Sequence, residues 1–297
     1  MDLSYLDGTL DVTHRRLQAD GWEESTGSIT GRSLLGGAAN VASVSQDGVV
    51  LGVSLKVLDR ATGGWTAWWV DAATGTLSPP LRGRWADDGI RLAGVDADGT
   101  LCADVVSAVT ATSARWEQSR STDGGRTWAP EWTMAMTRRS ADGADPAPAG
   151  EFAFLARSLQ VDHRRRARRG AGWEEFASVH RGATLLDGAV SIDEVGLPDG
   201  GAGMTFRVRE AATGSWSIWW VNSGVGRLEP PVHGRFGPDG IGTFVGAEDD
   251  QLVRFTWSDT TTDRPHWSQE LSTDGGLTWV LDWEMAFSPV VAAEVGS

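Results

Sequence analysis

Histidine and arginine occur two residues apart in two stretches of alternating apolar character, His14 with Arg16 and His163 with Arg165. Because successive side chains of a β-strand point to opposite faces, each pair shares a face with the leucine and valine that precede it. If that face points into a cavity, the guanidinium can bind a carboxylate or another anion, and the imidazole can donate a hydrogen bond or transfer a proton. The alternative is that both side chains meet water at a rim. His14 and His163 are the candidate catalytic residues if the protein is an enzyme, a question that the sequence leaves open.

Tryptophan is the second residue type that could contact a ligand, and the chain contains sixteen. Trp69 and Trp220 lie in two copies of one aromatic strand, next to Trp68 and Trp219 on the opposite face. Tryptophans on both faces require one apolar interior and a second apolar surface, which the two halves of the chain would provide by packing on each other. The alternative is a wall on which a ligand stacks.

Other candidate ligand contacts lie at matching positions of the two halves. Arg84 and Arg235 follow Pro-Pro turns, and a buried ion pair with Glu23 or Glu174 explains them as well as a ligand does. One strand differs between the halves: the second has an arginine and a tryptophan where the first has neither, so the two interiors would differ. The remaining candidates, for which ordinary strand pairing is the alternative, are Trp116, Gln118, Arg254, Trp257, Trp267 and Gln269.

The chain is an internal duplication. Trp22 and Trp132 recur as Trp173 and Trp283, in both cases 151 residues later. The motifs Pro-Pro-x-x-Gly-Arg and Ser-Thr-Asp-Gly-Gly-x-Thr-Trp also occur once in each half. A segment rich in proline, alanine and glycine separates the copies and has no apolar periodicity. We therefore predict domains at residues 1–139 and 152–297, joined by a linker at 140–151.

Each copy has the sequence pattern of an antiparallel β-meander. Asp-Gly and Gly-Gly turn pairs recur at roughly the 8–12-residue spacing of hairpins, and the segments between them alternate or are β-branched and aromatic. About nine or ten strands fit into each copy at this spacing. A meander of that length removes its unpaired edges by closing into a barrel. The predicted fold class is all-β, with two tandem antiparallel up-and-down β-barrels.

The motifs of each half also support a family resemblance. They are His-Arg-Arg, Trp-Glu-Glu, Leu-Leu-x-Gly, Thr-Gly-x-Trp-x-x-Trp-Trp-Val, Pro-Pro-x-x-Gly-Arg and Trp-x-Gln-x-x-Ser-Thr-Asp-Gly-Gly-x-Thr-Trp, with small departures between copies. Together they resemble a bacterial domain family of unknown function with a calycin-like barrel, akin to lipocalins and fatty-acid-binding proteins. The resemblance implies a closed barrel with an interior cavity. In outline, tandem calycin barrels are also similar to enzymes that hydrate, isomerise or cyclise hydrophobic natural-product intermediates.

Composition restricts the classes of partner. A net charge of −14 repels nucleic-acid phosphates and anionic membranes, so we expect neither as a partner. The first residues lack the basic and apolar regions of a secretory signal, and no apolar run reaches the roughly 20 residues of a membrane helix. The expected location is the cytoplasm.

No motif for a metal, a nucleotide or another cofactor is present, so none is expected. Cys102 lies in an apolar stretch and is interpreted as a small buried hydrophobe, and Lys56, the only lysine, as coding bias or a preference for arginine in anion binding. The Ser-x-Asp-x-Gly-x-x-Trp pattern resembles the Asp-box of sialidase-type propellers. It occurs only once per copy, which favours a structural turn over a sialidase.

Three functions remain compatible with the sequence. The first is binding of a small apolar or amphipathic molecule in a tryptophan-lined barrel, without a cofactor. The second is a cofactor-independent cyclase, isomerase or hydratase that acts on a hydrophobic natural-product intermediate. The third is a structural protein whose barrels are filled by side chains.

Overall fold

The computed structural model describes residues 3–86, 89–140, 147–167 and 172–290. Half of the predicted linker and part of the basic run that follows Arg166 lie outside these residues. The first ten strands are β1 (Gly8–Gln18), β2 (Gly21–Leu34), β3 (Ala39–Gln46), β4 (Val49–Asp59), β5 (Gly64–Asp71), β6 (Leu81–Ala86), β7 (Gly89–Val95), β8 (Leu101–Ser107), β9 (Ser113–Ser121) and β10 (Ala129–Arg138).

The second set of strands repeats the first. It comprises β11 (Ser158–Arg166), β12 (Trp173–Leu185), β13 (Val190–Gly196), β14 (Ala202–Arg209), β15 (Trp216–Asn222), β16 (Val232–Phe236), β17 (Gly242–Glu248), β18 (Gln251–Ser258), β19 (His266–Ser272) and β20 (Val280–Pro289).

Each set closes into its own antiparallel barrel, in which every strand pairs with its neighbours in sequence and the last strand pairs with the first. The described chain divides into two compact units with one barrel in each. The predicted fold class, two tandem up-and-down barrels, is confirmed with ten strands per barrel. This is also the architecture that the calycin-like resemblance implies.

The meander gives each barrel two different ends. The turns that follow the odd-numbered strands gather at one end, here called the mouth, and those that follow the even-numbered strands gather at the other, here called the base. A short 3-10 turn before the first strand packs at the base, Ser4–Leu6 in the first barrel and Ala153–Leu155 in the second. Phe152 precedes the second of these turns, is fully buried, and contacts Trp216 edge to face with 4.7 Å between ring centres.

The Asp-box pattern forms a tight turn between the last two strands of each barrel. The Asp123 carboxylate accepts hydrogen bonds from the backbone N–H groups of Arg126 and Thr127, both at 2.9 Å, and the Trp128 indole donates to the Gly125 carbonyl at 3.1 Å. The bonds from Thr127 lower the pKa of Asp123 to about 2. The structural interpretation of this motif is therefore confirmed.

Two kinds of feature are absent from the described residues. They contain no helix with the length and apolar character needed to cross a membrane. They also contain no group of three or more histidine, cysteine, aspartate or glutamate side chains placed to hold a metal ion.

Candidate functional site

Each barrel encloses a cavity, of about 250 Å³ in the first and about 320 Å³ in the second. The first cavity extends from Tyr5 near the base to Pro79 and Asp96 near the mouth. The second is lined near its mouth by Arg166 and Glu248. Small-molecule sites usually occupy about 300–1,000 Å³, so these cavities suit small ligands.

The first cavity contains an amine and a carboxyl on different strands. Lys56 on β4 donates a hydrogen bond to the Ser54 hydroxyl at 2.8 Å, and Asp104 on β8 accepts one from the Gln118 amide at 3.2 Å. The two strands lie four positions apart around the ring of ten, so the charged side chains approach the lumen from facing sides. All four residues line the cavity.

Burial shifts the titration of both groups toward neutrality. It lowers the pKa of Lys56 to about 8, a shift that attraction to Asp104 only partly offsets. It raises the pKa of Asp104 to about 6, against the opposing hydrogen bond from Gln118 and the charge of Lys56. Each shift follows from the cost of placing a charge in a low-dielectric interior.

The wall of the first cavity is mainly aromatic and apolar. Trp69 and Trp116 both line it, and the Trp116 ring meets Trp132 edge to face with 5.0 Å between ring centres. Cys102 is also in this wall, and burial raises the pKa of its thiol to about 12. The cysteine is therefore a small buried side chain, as the sequence predicts.

The second cavity has a buried charged cluster near its base. Arg207 on β14 donates a short hydrogen bond to Asp193 on β13, and both residues are 3% exposed. The Nε2 atom of His180 on β12 lies 3.5 Å from the same Asp193 carboxylate. Burial alone would raise the pKa of Asp193, but the neighbouring Arg207 guanidinium and His180 lower it. The three side chains line the cavity together.

Three polar atoms of this cluster have no hydrogen-bond partner. Within the part of the chain that the structure describes, His180 Nδ1, His180 Nε2 and Arg207 Nε are buried without a hydrogen bond. The Arg207 guanidinium instead lies over the Phe152 ring, 4.8 Å from its centre. Buried polar groups nearly always find a partner, so these atoms leave hydrogen-bonding capacity unused beside the cavity.

Tryptophans form the side wall of the second cavity, where Trp220, Trp257 and Trp267 all line the lumen. The Trp220 ring lies directly against Gly203. A Cβ atom added to Gly203 would lie only 1.8 Å from Trp220 Cη2. Near the same wall, the Gln269 amide donates to Asp282 at 3.0 Å. The second cavity therefore combines an aromatic wall with several charged and polar side chains, and it is more polar than most ligand pockets.

His14 and Arg16 belong to the inner face of the first barrel, and His14 is fully buried. Its Nε2 donates to the Ser45 carbonyl at 2.9 Å, and its Nδ1 accepts from the Trp132 indole at 3.2 Å. Burial, opposed by that backbone bond, lowers its pKa. Arg16 lies over the Trp132 ring, 3.7 Å from its centre. Both imidazole nitrogens of His14 therefore have partners within the barrel wall.

The corresponding pair in the second barrel differs in its contacts. His163 Nε2 lies 2.8 Å from the Ser178 hydroxyl, and the ring stacks on Phe176 with 4.2 Å between centres. Burial, assisted by the charge of Arg165, lowers the pKa of His163 to about 4. Arg165 lines the cavity and donates to Glu174 at 2.8 Å. The histidine is therefore held neutral in the wall, with Nδ1 unpartnered among the described residues, and the arginine reaches the cavity as one half of an ion pair.

Three arginines singled out from the sequence lie outside the cavities. Arg84 and Arg235 are exposed, so neither is the buried ion-pair partner that the sequence suggested. Arg254 alternates with the cavity-lining Val253 and Phe255, and its guanidinium binds Glu270 at 2.6 Å. These three side chains do not join a common site.

Sequence reasoning missed the charged groups inside the cavities. Val53, Leu55 and Val57 on β4 are fully buried, which suggests that their face points inward, yet Lys56 on the opposite face is the one that lines the lumen. The face that carries Ser54 and Lys56 is only half-buried because it borders the cavity, so hydrophobic alternation points to the wrong face. The usable signal was that the chain's only lysine, Lys56, lies within a strand of buried apolar residues.

No family model matches the chain, and no curated protein matches it. Among solved structures, it is similar to a DUF3598-family protein of unknown function from Nostoc punctiforme, at 7% identity over 98% of this chain and 100% of that one, with a TM-score of 0.34. It is also similar to the vaccine antigen Transferrin Binding Protein B from Haemophilus parasuis, at 8% identity over 94% of this chain and 75% of that one, with a TM-score of 0.21. The barrel assignment rests on the strand pairing described above.

Proposed function

We propose that the protein binds a small neutral amphipathic molecule in the second barrel. The apolar body of the ligand packs against Trp220, Trp257 and Trp267, and its hydroxyl or carbonyl end reaches the cluster of His180, Asp193 and Arg207 near the base. No cofactor takes part in this function. The first barrel binds a similar ligand in its smaller cavity.

The observation that carries this proposal is the set of three buried polar atoms without partners, His180 Nδ1, His180 Nε2 and Arg207 Nε. Leaving such an atom without a hydrogen bond costs about 1–3 kcal/mol. A ligand whose polar end bonds to one of these atoms recovers that energy, and its apolar part gains by leaving water. The cavity thus favours a molecule with one apolar part and one hydrogen-bonding end.

The charge of the cluster favours a neutral ligand. Arg207 is already neutralised by Asp193 through a short hydrogen bond. A carboxylate at the base of the cavity would bring a second negative charge next to Asp193, and like charges at such a contact cost several kcal/mol. An alcohol or a ketone avoids this cost, so we expect it to bind at least about tenfold more tightly than the carboxylate of equal length.

Tryptophan fluorescence during titration with hexanol, hexanoate and hexylamine tests the proposal. Val253 lines the second cavity, and Val253→Phe fills it without adding charge. The expected result is saturable quenching that is strongest for hexanol and is reduced in Val253→Phe. Leu277→Ala, at a position 85% exposed, is the control and should titrate like the wild type. If none of the three compounds gives saturable quenching, the proposed function is ruled out.

A cofactor-independent reaction is the second candidate, and the first barrel favours it. Lys56 and Asp104 line one cavity with pKa values of about 8 and about 6, on either side of neutrality. Groups that titrate near the working pH are suited to proton transfer. By contrast, the cavity volumes do not support barrels filled completely by side chains.

A further inference from the structure

We propose that Lys56 forms an imine with an apolar aldehyde or ketone bound in the first barrel. The inference rests on the proposed function in one respect, since the first cavity must admit an apolar ligand. It goes further in naming the chemical class of that ligand and the atom to which it becomes attached, Lys56 Nζ.

The position of the amine is the first argument. Lys56 is the only lysine of the chain, and it lines an apolar cavity whereas lysines are almost always exposed. Its ammonium bonds to the Ser54 hydroxyl, a neutral partner, at 2.8 Å. A lysine held in an apolar cavity loses its proton more easily and becomes a nucleophile.

The second argument is the facing carboxyl. Asp104 shares the cavity, approaches it from the other side of the lumen, and is oriented by the amide of Gln118. Burial lowers the pKa of Lys56 to about 8 and raises that of Asp104 to about 6. Both shifts favour the reactive forms at neutral pH, the unprotonated amine and the protonated carboxyl.

The reaction balances without an external oxidant or reductant. The lone pair of the neutral amine attacks the carbonyl carbon, the C=O π electrons move to oxygen, and proton transfer gives a carbinolamine. The carboxylic acid of Asp104 then donates a proton to the hydroxyl group, the C–O bond breaks, and water leaves as the nitrogen lone pair forms the C=N bond. The resulting iminium keeps one positive charge, which the Asp104 carboxylate offsets.

The second barrel is a built-in comparison. Arg207 stands 151 residues after Lys56, at the matching position of β14. Its guanidinium is not a nucleophile at neutral pH and is bound to Asp193 on the neighbouring strand. An imine therefore belongs to the first barrel alone, even if both cavities admit the same aldehyde.

Borohydride trapping of the full-length protein tests the inference. Wild type and Lys56→Arg are incubated with hexanal and reduced, and the intact mass and peptide masses from a protease other than trypsin are measured. We expect one hexyl group per chain, located on Lys56 and lost in Lys56→Arg. Tryptophan fluorescence with hexanol, which cannot form an imine, is measured in parallel on the wild type.

Each outcome separates this inference from the proposed function. If hexanol quenches fluorescence but hexanal leaves no hexyl group on Lys56, the imine is excluded while ligand binding stands. An adduct found only on the α-amino group likewise excludes it. If neither compound binds or reacts, both proposals fail. Because the wild-type peptide map locates the adduct, the test does not depend on folding of the variant.

Asp104→Asn tests the carboxylic acid separately. General acid catalysis contributes about 100-fold or more to a step of this kind, so the rate of trapping should fall on the order of 100-fold. A role confined to structure would change the stability of the variant without changing that rate. An unchanged rate in folded Asp104→Asn would overturn the assignment of Asp104 as the acid.

Discussion

At the scale of single residues, neighbours decide what two equivalent histidines do. His14 can bond to the Ser45 carbonyl because Gly27 has no side chain. A Cβ atom at Gly27 would lie 2.7 Å from His14 Nε2. The second barrel has Ser178 at the matching position, and its hydroxyl bonds to His163 instead. Within the described residues, His163 Nδ1 has no partner. The sequence predicts that both histidines face inward, but their bonding depends on the residue opposite.

His163 should make the protein sensitive to acid. Its pKa in the folded protein is about 4, against 6.5 for an ordinary histidine, so the unfolded chain binds a proton first as the pH falls. The stability that the neutral form contributes is therefore present above about pH 6.5 and is lost as the pH falls toward 4. The loss amounts to at most about 3 kcal/mol.

Urea denaturation at several pH values measures this effect. In His163→Leu, the fall in the free energy of unfolding between pH 6.5 and pH 4 should be smaller than in the wild type. The control is His233→Gln, because His233 is exposed on the outside of the second barrel. Equal pH dependence in the wild type and His163→Leu would contradict the account of His163 as a buried neutral group.

At the scale of strands, glycines set the position of the cavity tryptophans. Gly203 on β14 faces the Trp220 ring on β15, and Gly52 on β4 faces Trp69 on β5 in the same way. A Cβ atom at Gly52 would approach the Trp69 ring to 2.4 Å. The tryptophans can lie flat against the wall, leaving the lumen open, only because these positions lack a side chain.

Gly203→Ala should close part of the second cavity. The new methyl group would occupy the place of the Trp220 ring, which must then rotate into the lumen. We expect weaker quenching by hexanol and a lower melting temperature, measured by fluorescence titration and circular dichroism. Leu277→Ala is the control in the same barrel, because Leu277 is 85% exposed. Hexanol binding at wild-type strength in Gly203→Ala would show that Trp220 does not bound the ligand site.

The sequence predicts the strands better than the site they form. Regular turn pairs and the repeat are local signals, so the duplication, the strand number and the barrel follow from them. The acids that share the cavities with Lys56 and Arg207, Asp104 and Asp193, come from other strands. Both faces of those strands carry buried or half-buried residues, so hydrophobicity does not show which face points inward. Arg84 is the opposite case. It belongs to a motif shared by both copies and was a candidate ligand contact, yet its side chain lies on an exposed face.

At the scale of the whole molecule, the two barrels carry their cavity base at matching positions, Lys56 and Arg207. Their cavity acids, Asp104 and Asp193, lie at positions that do not match. The acid of the first barrel faces Lys56 across the lumen, whereas that of the second lies beside Arg207 on the next strand. The first arrangement leaves an amine available for reaction. The second neutralises the charge and leaves hydrogen-bonding atoms for a ligand. The two cavities therefore differ in chemistry although their backbones repeat.

The central claim is that both barrels hold cavities that admit a small ligand. Cys102 and Val253 occupy matching wall positions, so Cys102→Phe and Val253→Phe each fill one cavity and leave the other unchanged. The most direct measurement is the number of hexanol molecules bound per chain by equilibrium dialysis. We predict two for the wild type, one for each single variant and none for the double variant. A wild-type protein that binds none, or a double variant that binds as many as the wild type, would contradict the account.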